Sequence, residues 1–402
     1  MHTTGSPTMV SARLRPFGTT IFAEMTRLAI EHKAVNLSQG FPDFDGPAFV
    51  RDAAGAAIAS GKNQYARPYG EVPLVEAIAD WHERGTGLRV DPLAEVTVTS
   101  GCTEAIAACM LGLIDPGDEV VLLEPYYDCY RACVAMAGGV AKFVPLRTPT
   151  EAGGVFTLDR AELRASFGPR TKAVLLNTPH NPTGKVLTRE ELGWIGECAI
   201  EHDAIVISDE VYEKLVFEAD HPHVSIATLP GMRERTIVCS SIGKTFSLTG
   251  WKVGWAIAPE RLTAGVRAAH QFLTFATATP LQHGAAEALR RADEYVPGLV
   301  AELRESRDML AEALASLGFG VTRPEGAYFI MVDHSAFGDG DDVAFCKRLI
   351  ERAGVAAIPP SAFYNEKSLG RSLVRFAFCK KRATLEEAVR RLRAGLNGSA
   401  VR

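Results

Sequence analysis

From Glu95 onward the chain alternates short runs rich in Val, Ile and Leu with segments of helical period, and this alternation restricts the fold more than any other feature. The β-rich runs are Glu95–Ser100, Glu119–Glu124, Lys172–Asn177, Ala204–Asp209, Thr236–Ser241 and Trp251–Ala258, with amphipathic stretches such as Thr103–Leu113 and Arg189–His202 between several of them. Strands this continuously apolar cannot leave one face in water, so they predict a mostly parallel sheet covered by helices on both sides. In such an α/β sheet a ligand sits at the carboxyl ends of the strands.

After Pro280 the pattern changes to longer helical segments, Gln282–Ala292, Tyr295–Leu317, Val343–Ala353 and Leu385–Leu396, interleaved with the β-like runs Ala327–Val332 and Ser372–Phe378. This predicts a smaller α+β domain over residues 281–402 beside a large domain over 45–280. Residues 1–44 are expected to pack on the smaller domain or to reach across a partner. At 402 residues and 47% hydrophobic content the chain can bury two cores.

Charge narrows the partners. The formal net charge is −5, with acids and bases mixed along the chain, which argues against a nucleic-acid stripe or a polybasic membrane face. The N-terminal stretch lacks the apolar region of a secretory signal, and no apolar run approaches the roughly 18 residues of a membrane span, so a cytoplasmic location is expected. Eight cysteines are scattered with no metal-binding spacing; they read as reduced, mostly buried thiols, and no metal is expected.

The chemistry-bearing residues cluster at predicted strand ends. Gly101-Cys102-Thr103 stops a strand and starts a helix, where free backbone N–H groups and the helix dipole suit a phosphate ester. Asn181 stands in the turn Asn181-Pro182-Thr183-Gly184 and offers an amide to a ring hydroxyl and a substrate carboxylate. Asp209 ends an apolar strand; a buried carboxylate there needs a cation, such as a protonated pyridine nitrogen. Tyr212, three residues later, is placed to hydrogen-bond a phenolate oxygen of that ring.

The strongest element runs from Ser240 to Gly254. It places Lys244 in a Ser/Gly turn directly after a strand and a second base, Lys252, eight residues on. A lysine among apolar and cationic neighbours loses proton affinity and becomes a nucleophile for an aldehyde. Gly243-Lys244-Thr245 imitates the end of a P-loop, but that motif needs glycine at position 238, which is Val238. No Gly-x-Gly-x-x-Gly opens a βαβ unit, so a dinucleotide site is not expected either. Arg375, on a strand face with Leu373 and Ala377, has the planar fork that matches a carboxylate.

Together these stretches resemble the class I, fold-type I aminotransferases over nearly the whole chain. Ser241–Gly254 is similar to that family's cofactor-lysine motif, with Lys252 where many members carry arginine, an exchange typical of the kynurenine/glutamine transaminase branch. The same branch is resembled by Leu37-Ser-Gln-Gly-Phe-Pro-Asp-Phe44, Asn63-Gln-Tyr-Ala-Arg67, Glu124-Pro-Tyr-Tyr-Asp-Cys-Tyr130, Thr178-Pro-His-Asn-Pro-Thr-Gly184 and Gly326-Ala-Tyr-Phe329. Bacterial methionine aminotransferases and actinobacterial N-succinyldiaminopimelate aminotransferases share much of this pattern.

The resemblance implies pyridoxal 5′-phosphate as cofactor, bonded through its aldehyde to Lys244, which also shuttles the substrate proton. It implies Asp209 at the pyridine nitrogen and Asn181 and Tyr212 at the ring oxygen. The phosphate falls to Gly101, Cys102, Thr103, Ser241 and Lys252, with Tyr65 from the neighbouring subunit of a homodimer, and Tyr127 stacks on the ring. Arg375, Asn181 and the Gly40 backbone take the substrate carboxylate; Phe22, Tyr65 and Phe275 line the side-chain pocket, Phe275 coming from the other subunit. The expected reaction is ping-pong transfer of an amino group from a methionine-, glutamine- or aromatic-type amino acid to a 2-oxo acid. N-succinyl-LL-diaminopimelate is the alternative donor, and β-elimination from cysteine S-conjugates the alternative outcome. A ligand-sensing relative fused to a DNA-binding domain is disfavoured, because only about 35 residues precede Ser38 and they carry no helix-turn-helix pattern.

Overall fold

The computed structural model describes residues 9–396 except Thr19 and Asp339, so the first eight residues of the predicted N-terminal segment lie outside the described residues. Eight strands form the central sheet: β1 (Val96–Thr99), β2 (Glu119–Glu124), β3 (Val140–Arg147), β4 (Thr157–Leu158), β5 (Thr171–Asn177), β6 (Ile205–Asp209), β7 (Thr236–Ser241) and β8 (Gly254–Ile257). Their order is β1-β8-β7-β6-β5-β2-β3-β4. The strands from β7 to β3 run parallel, while β8 is antiparallel to both β1 and β7, and β4 to β3. The expected α/β class stands, with antiparallel strands at both margins.

The strands are apolar throughout because both faces are buried. Val120, Leu122, Ala173 and Leu175 pack into a core with the helices Cys102–Leu113 and Asp128–Ala137. Their neighbours Val121, Leu123, Val174 and Leu176 point the other way, against Leu192, Ile195 and Ala199 of the helix Arg189–Glu201. Successive side chains of a strand alternate faces, so a run apolar at every position is a strand sandwiched between helices. Each such Val or Leu contributes roughly 1.5–3 kcal/mol by burial. The helix Arg189–Glu201 starts on a reciprocal cap, Thr188 with Glu191, which satisfies two backbone donors.

Two strands of this sheet went unforeseen. β3 is half-exposed and contains Lys142 and Pro145, and β4 is two residues long, so neither carries a continuous apolar run. The predicted strand Trp251–Ala258 begins only at Gly254, because residues 249–251 form a single 3-10 turn.

The C-terminal part holds an antiparallel sheet of β9 (Gly320–Val321), β10 (Phe329–Asp333) and β11 (Leu373–Ala377), in that order, flanked by the helices Val296–Ser316 and Arg382–Leu396. The N-terminal segment is laced onto it. After the helix Ile21–Glu31, which Thr20 caps through Ala23 N, Val35 and Asn36 pair in parallel with Val355 and Ala356, and the Ala377 N–H donates to Leu37 O. Residues 38–41 then cross between β11 and the carboxyl edge of the large sheet. Among the described residues no helix is long and apolar enough to cross a membrane.

Candidate active site

The three central strands β5, β6 and β7 end in Asn177, Asp209 and Ser241. Asn177 is in register with Asp209, and Asp209 with Cys239, so Asn177 and Asp209 stand at one level and Ser241 two residues beyond it on β7. A cavity of about 150 Å³ opens there. Gly101, Cys102 and Thr103 line one end of it with Ser241 and Lys252; Asn181, Asp209, Tyr212 and Lys244 line the middle, and Tyr127 lies at its wall.

The Gly101 end is a cradle made by close backbone approach. Gly101 has φ +79°, and a side-chain carbon on it would stand 3.1 Å from Lys252 Nζ. Gly254 faces it from β8; a carbon there would meet Cys102 N and Gly101 C at 2.6 Å. Lys252 adopts a left-handed conformation, φ 54°, which a lysine takes only when its surroundings impose it. The helix Cys102–Leu113 starts at this point, so its unpaired N–H groups and positive dipole end face the same space as the ammonium of Lys252.

In the middle, Asp209 is buried and burial raises its proton affinity. Three hydrogen-bonding groups oppose that: the Tyr130 hydroxyl to Oδ2 at 2.7 Å, the Val211 N–H to Oδ1 at 3.2 Å, and the Cys102 thiol. Asn177 braces the floor, donating to Asp209 O at 2.8 Å and accepting from Asn181 N at 2.7 Å. Burial lowers the proton affinity of Lys244, whose Nζ donates to Gly40 O at 3.4 Å and stands 5.9 and 5.8 Å from the rings of Tyr212 and Tyr328. Tyr328 fixes the same carbonyl through its hydroxyl at 2.7 Å.

Arg375, on β11, joins the site through the cavity-lining Asn181. It is 1% exposed and held down to about 10 in pKa by that burial. Nη1 donates to Asn181 Oδ1 at 2.9 Å and Nη2 to Ser38 O at 2.7 Å, while Nε has no partner in the protein. The guanidinium lies 4.2 Å from the Phe329 ring and 5.4 Å from those of Phe22 and Phe363. A buried cation without a carboxylate partner and with one idle donor is poised for an anion.

Most of the residues singled out by sequence thus converge, including Phe22 and Gly40. Tyr65 and Phe275 do not: they pack on each other, centroids 5.5 Å apart, and line no part of the cavity, and Tyr65 is 87% exposed. Tyr130, Asn177, Tyr328 and Phe363 were assigned no role from sequence. A signal for Tyr130 existed, because it stands three residues after Tyr127, in the first turn of the helix that Tyr127 precedes, and their rings meet edge-on. All eight cysteines are free, and seven are buried; among the described residues no cluster suits a metal.

The donor set fits pyridoxal 5′-phosphate: an anion cradle at one end, a buried carboxylate for a protonated ring nitrogen, and a buried lysine of lowered proton affinity for an aldehyde. The class I and II aminotransferase family matches residues 32–392. The solved structure of N-succinyldiaminopimelate aminotransferase from Mycobacterium tuberculosis is 49% identical, with a TM-score of 0.92 covering 95% of this chain and 99% of that one. The methionine aminotransferase of Escherichia coli is 42% identical over 97% of this chain and 99% of its own length. Kynurenine–oxoglutarate transaminase 3 of Mus musculus is 41% identical over 95% and 89%. With a family match of this extent and relatives of this identity along nearly its full length, the chain belongs to the class I and II aminotransferases and is a pyridoxal-phosphate-dependent enzyme.

Proposed function

We propose that the enzyme transfers the amino group of an unbranched or aromatic amino acid, such as methionine, glutamine or phenylalanine, to a 2-oxo acid. The observation that carries this reading is the aromatic collar of Phe22, Phe329 and Phe363 around Arg375. An α-carboxylate on the Arg375 fork leaves the substrate side chain among rings, where burial stabilises an apolar group by roughly 1.5–3 kcal/mol. Besides Arg375 itself, the cations at the site are Lys244 and Lys252, both committed elsewhere, so in this reading a distal carboxylate is disfavoured.

In this reading the cradle of Gly101, Cys102, Thr103, Ser241 and Lys252 holds the phosphate, and Asn181 and Tyr212 the ring oxygen. Tyr127 covers the ring face, and Asp209 keeps the ring nitrogen protonated. The cofactor supplies an aldehyde that takes up the amino group and a ring that draws electrons from the substrate's α-carbon. Arg375 and Asn181 orient the substrate by its carboxylate. Lys244 Nζ, freed when the substrate amine arrives, takes the proton from the α-carbon and returns it one atom beyond. Its depressed proton affinity favours the unprotonated amine that this step needs. The second half-reaction runs backward with another oxo acid.

A second reading, with N-succinyl-LL-diaminopimelate as donor, is favoured by the 49% identity to the mycobacterial enzyme. Values of kcat/KM for methionine, phenylalanine, glutamine, aspartate and the succinylated substrate decide between them. A preference of about tenfold or more, 1.4 kcal/mol, for aspartate or the succinylated donor overturns the apolar-pocket reading. Release of pyruvate and ammonia from a cysteine S-conjugate without added oxo acid would reveal β-elimination instead.

We further assign Tyr65 and Phe275 to a homodimer that completes two shared sites. Their support is the exposed aromatic pair itself, together with Phe272 at 85% exposure. The division at residues 44 and 280 and a cytoplasmic location belong to the same reading.

A further inference from the structure

Two contacts of Tyr130 meet at the cavity. Its hydroxyl donates to Asp209 Oδ2 at 2.7 Å, and its ring stands edge-on to Tyr127, with centroids 5.7 Å apart and planes at 82°. Packing alone does not account for it: a phenylalanine would fill the same buried space, whereas a buried tyrosine hydroxyl needs a partner, and here the partner is the carboxylate that ends β6.

Asp209 is buried, and Lys244 acts on it only through space, so its ionised form depends on donors. Tyr130 supplies one from the helix Asp128–Ala137 and Val211 N–H, at 3.2 Å, another from its own loop, with the Cys102 thiol adding a weaker one. A carboxylate held by two donors from different elements is fixed in rotation as well as in charge, leaving its free lone pairs for the cavity.

We propose that Tyr130 is a positioning residue for the cofactor: its hydroxyl keeps Asp209 ionised and aimed at the protonated pyridine nitrogen, and its ring edge sets the tilt of Tyr127 over the ring face. No proton changes owner; the Tyr130 proton stays on its oxygen and the ring proton on the nitrogen. This inference rests on the assignment of Asp209 to the ring nitrogen proposed above.

The test compares two ligands on the same protein. Apoenzyme of the wild type, Tyr130→Phe and Asp209→Asn is titrated with pyridoxal 5′-phosphate and with its carbocyclic analogue, in which C–H replaces the ring nitrogen, following quenching of protein fluorescence. The wild type should prefer the natural cofactor, because only the nitrogen can carry a charge opposite Asp209. Tyr130→Phe should reduce that preference by about tenfold while leaving affinity for the analogue unchanged, the loss expected for a hydrogen bond to a charged group. In the refilled Tyr130→Phe enzyme, the acid end of the cofactor's absorbance–pH profile should move to higher pH, since a carboxylate that has lost a donor takes up its proton earlier.

If Asp209→Asn keeps the wild-type preference, the Asp209 assignment fails and the inference with it. If Asp209→Asn erases the preference but Tyr130→Phe keeps it in full, or weakens both ligands equally, Asp209 stands and the role given to Tyr130 is overturned.

Discussion

Lys244 is a cation placed where cations are disfavoured. Burial lowers its proton affinity, and its hydrogen bond to Gly40 O, 3.4 Å long, is weak compensation. Lys244→Ala should therefore abolish multiple turnover while the protein keeps its fold, to be read from turnover assays beside the far-UV circular dichroism spectrum. Substantial turnover in that variant would sink the assignment. Arg375 answers a different demand, since it uses both ends of its fork within the protein and leaves Nε idle. Arg375→Lys keeps the charge but loses the planar fork, and kcat/KM should fall by about 10–100-fold, equivalent to roughly 1.4–3 kcal/mol, mostly through KM. Unchanged cofactor affinity in the same variant separates substrate binding from general damage.

Among the elements, β8 and the helix Cys102–Leu113 approach so closely that only glycine fits at 254. Gly254→Ala sets a carbon against the backbone of Gly101 and Cys102, neither of which can rotate away, and overpacking of this kind costs about 1–3 kcal/mol or more. The cradle should open, lowering both the unfolding temperature and cofactor retention on dialysis. Gly193, in the middle of the helix Arg189–Glu201, has open space where a side chain would go. Gly193→Ala should stabilise the enzyme by up to about 1 kcal/mol in urea denaturation without touching activity. The loop after β5 carries a pH dependence of its own. Burial, with Lys185 adding to it, depresses His180 to about 3 in pKa, so the folded protein holds this ring neutral while the unfolded chain protonates it near the usual 6.5. The unfolded state then binds more protons, and stability from this group is full above pH 6.5 and declines as pH falls toward 3. In His180→Gln the fall of the urea midpoint between pH 7 and pH 4.5 should be smaller than in the wild type; an identical fall would mean that His180 does not titrate as placed.

At the scale of the whole molecule, the exposed aromatic residues Tyr65, Phe272 and Phe275 suit a two-fold interface, where each copy would lend Tyr65 to the other's phosphate cradle. Sedimentation should give twice the chain mass of 43.3 kDa. Phe272→Asp should shift it toward the monomer, with activity that falls on dilution; a fully active monomer would remove Tyr65 and Phe275 from the site. The strand ends Asp209 and Ser241, the lysine turn and, to within one residue, the helix start after Gly101 were legible in the sequence, because each is a local pattern in which an apolar run stops at a polar residue or a turn. So was the two-sided burial of the central strands, which an apolar residue at every position requires. The edge strands β3 and β4 were not legible, since a half-exposed strand and a two-residue strand leave no such run. Nor were the partners of the site residues. Tyr130 meets Asp209 across 79 positions of chain, and Arg375 meets Asn181 across 194. Sequence by itself determined which groups are present and which local turn holds each one. Which of them meet was decided by the order of strands in the sheet and by how β11 seats against its carboxyl edge, because contacts over such separations depend on the packing of the whole core rather than on the few residues that any local pattern spans.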